Sequence, residues 1–319
     1  MNIKVLDYKS LGMDLDLTPL RDFGEVYVYN STEDSELECR LADADVIVIN
    51  KIKITKELML KCPRLKLICI FATGFDNVDT VAAGDIGIGV CNVPGYSTDS
   101  VVLYTVATVL ALASRIREYN RYVTTGEYTK SGIPNKLEPV FHELAGKTWG
   151  IIGLGNIGKS VAKVAEAMGA KVIANKRTPI DEYVCVDINT LCRESDIITI
   201  HCPLNDATRG LISKEKIDLM KDGVIIVNEA RGAVVCDQDI VSGIKSGKIG
   251  GFGSDVYTVE PFGENHAFNS IMHMDNVLLT PHCAWGAFES RSRCLKIICD
   301  NIRSFLNNEK LNRVDKFVK

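Results

Sequence analysis

A glycine-rich turn, Gly153-Leu154-Gly155-Asn156-Ile157-Gly158, lies mid-chain, directly after the apolar run Trp149, Ile151, Ile152 and directly before a helical pattern. Each glycine has its own task in such a turn. The first permits a tight bend, the second lets backbone approach a pyrophosphate, and the third lets helix and strand pack closely. The helix start then presents unpaired N–H groups and a positive dipole end to negative charge. Residues 147–174 are predicted as strand, loop, helix, strand, with Val161, Val164, Ala165 and Met168 on the apolar face of the helix. In this strand-to-helix setting the motif reads as a dinucleotide cradle, and the plainer alternative is a glycine turn used for packing.

An acidic residue is expected about 20 positions on, to accept hydrogen bonds from the adenosine ribose. Here Val172-Ile173-Ala174 is followed by Asn175, Lys176, Arg177 and Thr178. Lysine and arginine donate hydrogen bonds and accept none, so they suit a 2'-phosphate. NADP(H) is therefore favoured, with NAD(H) possible. The alternative is a solvated basic turn in which Asn175 alone serves the diol.

At 319 residues the chain is long enough for two domains. A hydrophobic share of 46% and a net charge of -4 are ordinary for a globular protein and give no electrostatic case for nucleic acid. Eleven cysteines at irregular spacing contain no C-x-x-C pair, so no disulfide framework or metal site is expected and a reducing cytoplasm fits. The N-terminus enters a strand-like run at once, without a charged leader. The uncharged run Val101 to Ser114 is short for a membrane span and reads as a buried helix.

Before residue 100, β-branched runs at Ile3–Leu6, Glu25–Tyr29, Val46–Ile49, Leu67–Ile70 and Ile88–Cys91 alternate with helical patterns. After the glycine turn the alternation resumes at Lys171–Ala174, Ile197–His201, Val224–Asn228, Gly251–Asp255 and Val277–Thr280. Two doubly wound parallel α/β sheets are expected, a Rossmann nucleotide domain over 99–287 inserted in a flavodoxin-like domain formed by 1–98 and 288–319. Phe288 to Leu306 carries a further helical pattern that returns to the first domain.

Three strand-end loops carry residues of catalytic type: Asn228-Glu229-Ala230-Arg231-Gly232, Asp255 to Pro261 with Glu260, and Leu279-Thr280-Pro281-His282. Together an Arg, a Glu and a His supply a carboxylate clamp, an orienting base and a general acid. Singly each has a dull explanation: a surface ion pair, a solvated loop carboxylate, a capping imidazole. His201 is read as structural or close to the cofactor, while His142, His266 and His273 fall in polar loop contexts. Cys202 and Cys283 are read as small buried hydrophobes.

Taken in order, these loops together with Ala72-Thr73-Gly74-Phe75-Asp76-Asn77-Val78-Asp79, Asn92-Val93-Pro94-Gly95-Tyr96-Ser97, Glu143 to Thr148 and Pro281-His282-Cys283-Ala284-Trp285 make the chain resemble the D-2-hydroxyacid dehydrogenase family. The resemblance runs nearly end to end and points to its glycerate dehydrogenase, or hydroxypyruvate reductase, branch. It implies Arg231, Glu260 and His282 as the catalytic set. It implies that Thr73, Gly74 and Phe75 bind the substrate carboxylate through backbone N–H groups, freed by a helix start at Asp76, and that Asp255 faces the nicotinamide amide. Trp285 is read either as a wall of the substrate pocket or as core packing. Gly153, Gly155, Asn156, Ile157, Gly158, Lys176, Arg177, His201, Cys202 and Ala230 complete the expected cofactor site. The implied chemistry is hydride reduction of a small 2-keto acid such as hydroxypyruvate or glyoxylate to the D-hydroxy acid. In it Arg231 polarises the carbonyl and His282, oriented by Glu260, donates the proton. The family also implies a homodimer, with residues 127–143 as an arm held extended by Pro134 and Pro139.

The chain departs from the family pattern at Lys176, at Glu229, at Cys236 and at Leu103-Tyr104. Glu229 replaces a small or hydroxyl residue, and its carboxylate either tethers the Arg231 guanidinium or faces solvent. Two other functions share the fold: a dehydrogenase for larger branched or aromatic keto acids, with Phe75 and Trp285 lining the pocket, and a dinucleotide-sensing transcriptional corepressor.

Overall fold

The computed structural model describes residues 1–178 and 180–315. The chain divides into two compact units, Met1–Ser97 with the segment that begins at Gly286, and Thr98–Trp285. Each is a parallel sheet with helices packed against it.

In the first unit β1 (Asn2–Val5), β2 (Glu25–Val28), β3 (Val46–Ile49), β4 (Leu67–Ile70) and β5 (Gly89–Cys91) lie in the order β2-β1-β3-β4-β5. That is the flavodoxin-like winding. β3 (VIVI) and β4 (LICI) are buried at every residue, which is why they read as unbroken apolar runs rather than alternating ones. Leu6, Leu41, Ile47, Ile49, Ile68 and Ile70 are sealed in the core on one side of this sheet. Each such side chain contributes about 1.5–3 kcal/mol on leaving water. The helix Phe288–Leu306 closes the unit, its Asn301 Nδ2 donating to Asn92 O at 3.1 Å.

In the second unit the strands are β6 (Thr148–Ile152), β7 (Lys171–Asn175), β8 (Val184–Cys185), β9 (Ile197–Ile200), β10 (Val224–Asn228), β11 (Ile249–Ser254) and β12 (Val277–Leu279). Their order is β12-β11-β10-β9-β6-β7-β8, all parallel. The winding runs outward from β6 through β7 to β8, then restarts at β9 on the other side. The switch point is therefore between β6 and β9, where the carboxyl ends of the strands open a crevice for a dinucleotide. The register Ile200–Asn228–Ser254–Leu279 brings the ends of β9, β10, β11 and β12 to one edge.

The two sheets agree with the expected fold class, with strand ends shifted by a residue or two. Three local expectations are corrected. The helix placed at Asp76 begins at Thr80: residues 75–78 form a turn closed by Val78 N donating to Phe75 O, Asn77 Nδ2 is held by the carbonyls of Asn50 and Ile52, Val78 bridges Ile54, and only then does Asp79 cap Ala82 N at 3.0 Å. β8 was not anticipated, since a two-residue strand is too short to show a period. The arm expected to run extended from residue 127 opens with a helix, Glu127–Ser131, ahead of its prolines. Among the described residues no single helix is long and apolar enough to cross a membrane.

Candidate active site

The glycine turn forms a closed scaffold with one open place. Gly153 adopts φ +95°, and a Cβ there would lie 2.5 Å from Cys202 N. A Cβ on Gly158 would lie 2.2 Å from Gly153 O, so this glycine sets how closely helix and strand approach. At Gly155 a Cβ would meet nothing within 4 Å. The first two positions are fixed by packing, while the third is clear for a ligand. Gly155 also caps the helix Asn156–Ala167, without any side-chain hydrogen bond to its first turn. The N–H groups of Asn156, Ile157 and Gly158 thus start a helix that an anion can complete. Of the expected apolar face, Val161 and Ala165 are buried together with Ala162, whereas Val164 and Met168 are only half-buried.

β7 ends at Asn175, whose Nδ2 donates to Val186 O at 2.9 Å and so ties this strand end to the segment after β8. Lys176 beside it is half-buried and Arg177 is exposed. Glu182 lies close by, its carboxyl held below the ordinary value by the Lys159 ammonium that bonds it and, more weakly, by Lys176.

The other half of the edge carries the candidate chemistry. After β10, Asn228 is fully buried, with Oδ1 accepting from Ala230 N at 3.1 Å and Nδ2 donating to Arg231 O at 3.0 Å. This side chain braces the backbone turn that presents half-buried Arg231, whose Nη1 donates to Ala230 O at 2.8 Å. After β11, Asp255 is 1% exposed and accepts from Thr280 Oγ1 at 2.7 Å, Cys283 N at 2.9 Å and Ala284 N at 2.8 Å. One carboxylate thereby shapes the loop that follows β12. That loop holds His282 at φ 52°, a left-handed backbone uncommon for a residue with a side chain. The imidazole Nδ1 meets Glu260 Oε2 at 2.6 Å, while Glu260 Oε1 accepts from Tyr257 N at 3.0 Å. A carboxylate on Nδ1 fixes the ring's orientation. Trp285 Nε1 donates to His282 O at 2.8 Å, so the indole braces the histidine loop, a role neither of its two sequence readings named.

Glu229 is half-buried, and no salt bridge joins it to the Arg231 guanidinium among the described contacts. Its Oε2 is buried and accepts no hydrogen bond, and burial, with the nearby charge of Asp255, pushes the carboxyl up to about 9. His201, at the end of the adjacent β9, has both ring nitrogens buried without a partner, and burial lowers it to about 3. Cys202 is buried, its thiol raised to about 11 by that burial. Two further groups make contacts that their sequence readings did not include. Tyr104, on the helix Thr98–Ala113, lies 3.2 Å by its hydroxyl from Cys283 Sγ. His266 is no polar-loop residue: its side chain is 9% exposed, 3.2 Å from Asp237 and packed against Phe262 and Phe268. Only the aromatic neighbours of His266 in the sequence hinted at this.

In the first unit the loop after β4 is held by Thr73 Oγ1 donating to Val93 O and by Asn92 Nδ2 donating to Thr73 O, both at 2.8 Å. Thr73 and Phe75 are exposed and Gly74 is half-buried.

A dinucleotide fits the second unit on its own terms: a helix start with no side-chain cap at an open glycine, and unpartnered polar atoms of His201 and Glu229 at neighbouring strand ends. Residues 106–284 match the family model described as D-isomer specific 2-hydroxyacid dehydrogenase, NAD binding domain. The chain belongs to that family. It is 36% identical to a hydroxypyruvate reductase of Blautia hydrogenotrophica over 99% of this chain and 100% of the relative. It is 35% identical to a glycerate dehydrogenase of Methylorubrum extorquens over 94% and 96%. Among solved structures, the D-lactate dehydrogenase of Aquifex aeolicus complexed with NAD and lactic acid superposes with a TM-score of 0.87 at 29% identity, over the whole of both chains. As a member of this family the protein is an oxidoreductase that works with a nicotinamide cofactor.

Proposed function

We propose that the protein reduces a small 2-keto acid, hydroxypyruvate first and glyoxylate second, to the D-2-hydroxy acid, with NADPH preferred. The observation that carries this reading is the Glu260–His282 contact of 2.6 Å on the strand-end edge of the dinucleotide sheet. A reduced nicotinamide supplies hydride to the keto carbon when bound. His282 is then the proton donor to the carbonyl oxygen, and Glu260, on Nδ1, holds the ring in orientation. Arg231, set by Asn228, engages the substrate carboxylate and polarises the carbonyl. The loop Thr73-Gly74-Phe75 of the first unit offers backbone N–H groups to an anion.

Lys176 and Arg177 support the cofactor preference: both only donate, and both follow β7 where a carboxylate would select a free ribose. Asp255, Ala230, His201 and Cys202 line the nicotinamide half in this reading, and Gly153 to Gly158 the pyrophosphate. The segment 127–143 would serve a homodimer. All eleven cysteines are thiols, which suits a reducing compartment. Following absorbance at 340 nm with hydroxypyruvate, glyoxylate and a branched keto acid, each with NADPH and NADH, tests these points together. Fastest turnover with hydroxypyruvate and NADPH is expected. Cofactor binding without turnover on any keto acid would favour a sensor, and an NADH advantage in kcat/KM would overturn the assignment to Lys176 and Arg177.

A further inference from the structure

Glu229 presents a carboxyl oxygen that is buried, accepts no hydrogen bond, and sits at the end of β10 on the half of the sheet beyond the switch point. A dinucleotide bound across that point lays one half over β6 and β7 and its other half over β9 to β11. The pyrophosphate cradle at Gly155 and the cations after β7 assign the adenosine half to the first side, so the nicotinamide falls on the side of Glu229.

Three groups share this carboxyl's field, Asp255, Tyr257 and Cys283, and none of them is a cation. Asp255 comes from the end of β11, with its two oxygens occupied by Thr280, Cys283 and Ala284. Tyr257 and Cys283, from the loops after β11 and β12, both lie within reach of the Glu229 charge, and burial raises both. The neutral imidazole of His201 stands at the end of β9. Arg231 follows on the same turn, with its Nη1 turned to Ala230 O at 2.8 Å, and Glu229 Oε2 receives no hydrogen bond from it. A carboxylate in this setting lacks a counter-charge, whereas a carboxylic acid is tolerated there.

The two redox states of the cofactor differ in the one property this setting lacks. The oxidised nicotinamide ring is a cation and the reduced ring is neutral. We propose that Glu229 is a positioning residue that couples ring charge to a proton: it keeps its proton in the empty protein and beside the reduced ring, and releases it to solvent when the oxidised ring binds. The balance is simple, one proton from the carboxyl to bulk water for each oxidised cofactor bound, with no bond otherwise made or broken. An opposite charge within about 6 Å lowers a carboxyl's pKa by about 1 to 3, which is enough to carry this group across neutral pH from its raised starting value. By linkage, affinity for the oxidised form then rises with pH by up to about tenfold per unit, while affinity for the reduced form does not. After each turnover the ionised carboxylate would hold the oxidised cofactor more firmly at high pH, biasing the site toward product inhibition there.

This inference rests on the nicotinamide reading of the site, and the test separates the two. Calorimetric titration of the full chain with NADP+ and with NADPH at pH 7.5, in buffers of different ionisation enthalpy, counts the protons released by each. The 2'-phosphate is common to both forms and cancels. Wild type should release more protons with NADP+ than with NADPH, by up to one, and Glu229→Gln should abolish the difference while still binding both. Glu229→Asp, a shorter acid, should retain part of it. Equal release by the two forms in wild type, or an unchanged difference in Glu229→Gln, overturns the proposal with cofactor binding intact. Absence of binding by either form in wild type overturns the cofactor reading as well.

Discussion

Replacing Glu229 by glutamine should change how the empty protein's stability depends on pH, in a way that no surface glutamate could. The folded carboxyl is raised from an ordinary 4.5 to about 9. Between those two pH values the folded chain therefore holds a proton that the unfolded chain has lost, and stability falls as pH rises. From 4.5 to pH 7 is about 2.5 units, so at 1.36 kcal/mol per unit the ionisable group costs the fold about 3 kcal/mol at neutral pH. Glutamine keeps the shape and carries no proton to lose. Its amide has its own burial penalty, which shifts the variant by a constant, so the slope is the quantity to read. The advantage of Glu229→Gln over wild type should grow by about 1.4 kcal/mol per pH unit from pH 5.5 to 8.5, about 4 kcal/mol in all. For a unit the size of Thr98–Trp285 that is roughly 8 to 16 °C of relative shift in melting temperature. Thermal unfolding of both proteins in matched buffers, without cofactor, measures it. Melting curves that stay parallel across this range would mean that water or a neighbour satisfies the carboxylate and that the burial argument is wrong.

His282→Ala should lower turnover by about 100-fold or more, the usual loss for a general acid, with a smaller effect on cofactor affinity measured by fluorescence. Near-normal reduction by this variant would remove the histidine from the chemistry. Gly158→Ala should weaken cofactor binding and destabilise the second unit by about 1–3 kcal/mol, since the added methyl meets Gly153 O at 2.2 Å and backbone must move; unchanged melting and affinity would show that the helix can shift freely.

The fold was readable because its signals are local and repeated. β3, β4 and β10 announce themselves as apolar runs with definite ends, and the helix Phe288–Leu306 has the limits its period implies. What escaped was decided by partners far along the chain. Asp76 looks like a helix cap until Asn77 is bound to residues 50 and 52. His266 reads as solvated until Phe262, Phe268 and Asp237 close around it. In the site, the loops were recognisable by their chemistry, but the bond from Trp285 to the His282 carbonyl was not, because bracing of this kind leaves no periodicity. Glu229 stood out as a departure, yet only the sealed environment of its oxygen distinguishes a buried acid from a surface one.

Asp255 reaches the loop after β12 at three points, through one hydroxyl and two amides, and touches neither the imidazole nor its carboxylate partner. The aim of the His282 ring, the proton donor in the proposed reaction, thus depends on a residue outside the His282–Glu260 pair. A scan that truncates side chains one at a time would score Asp255 as heavily as His282, although the first would fail by slackening the loop and the second by removing the acid. Restoring the loop's shape by other means, such as a tighter turn after Leu279, should rescue one and never the other.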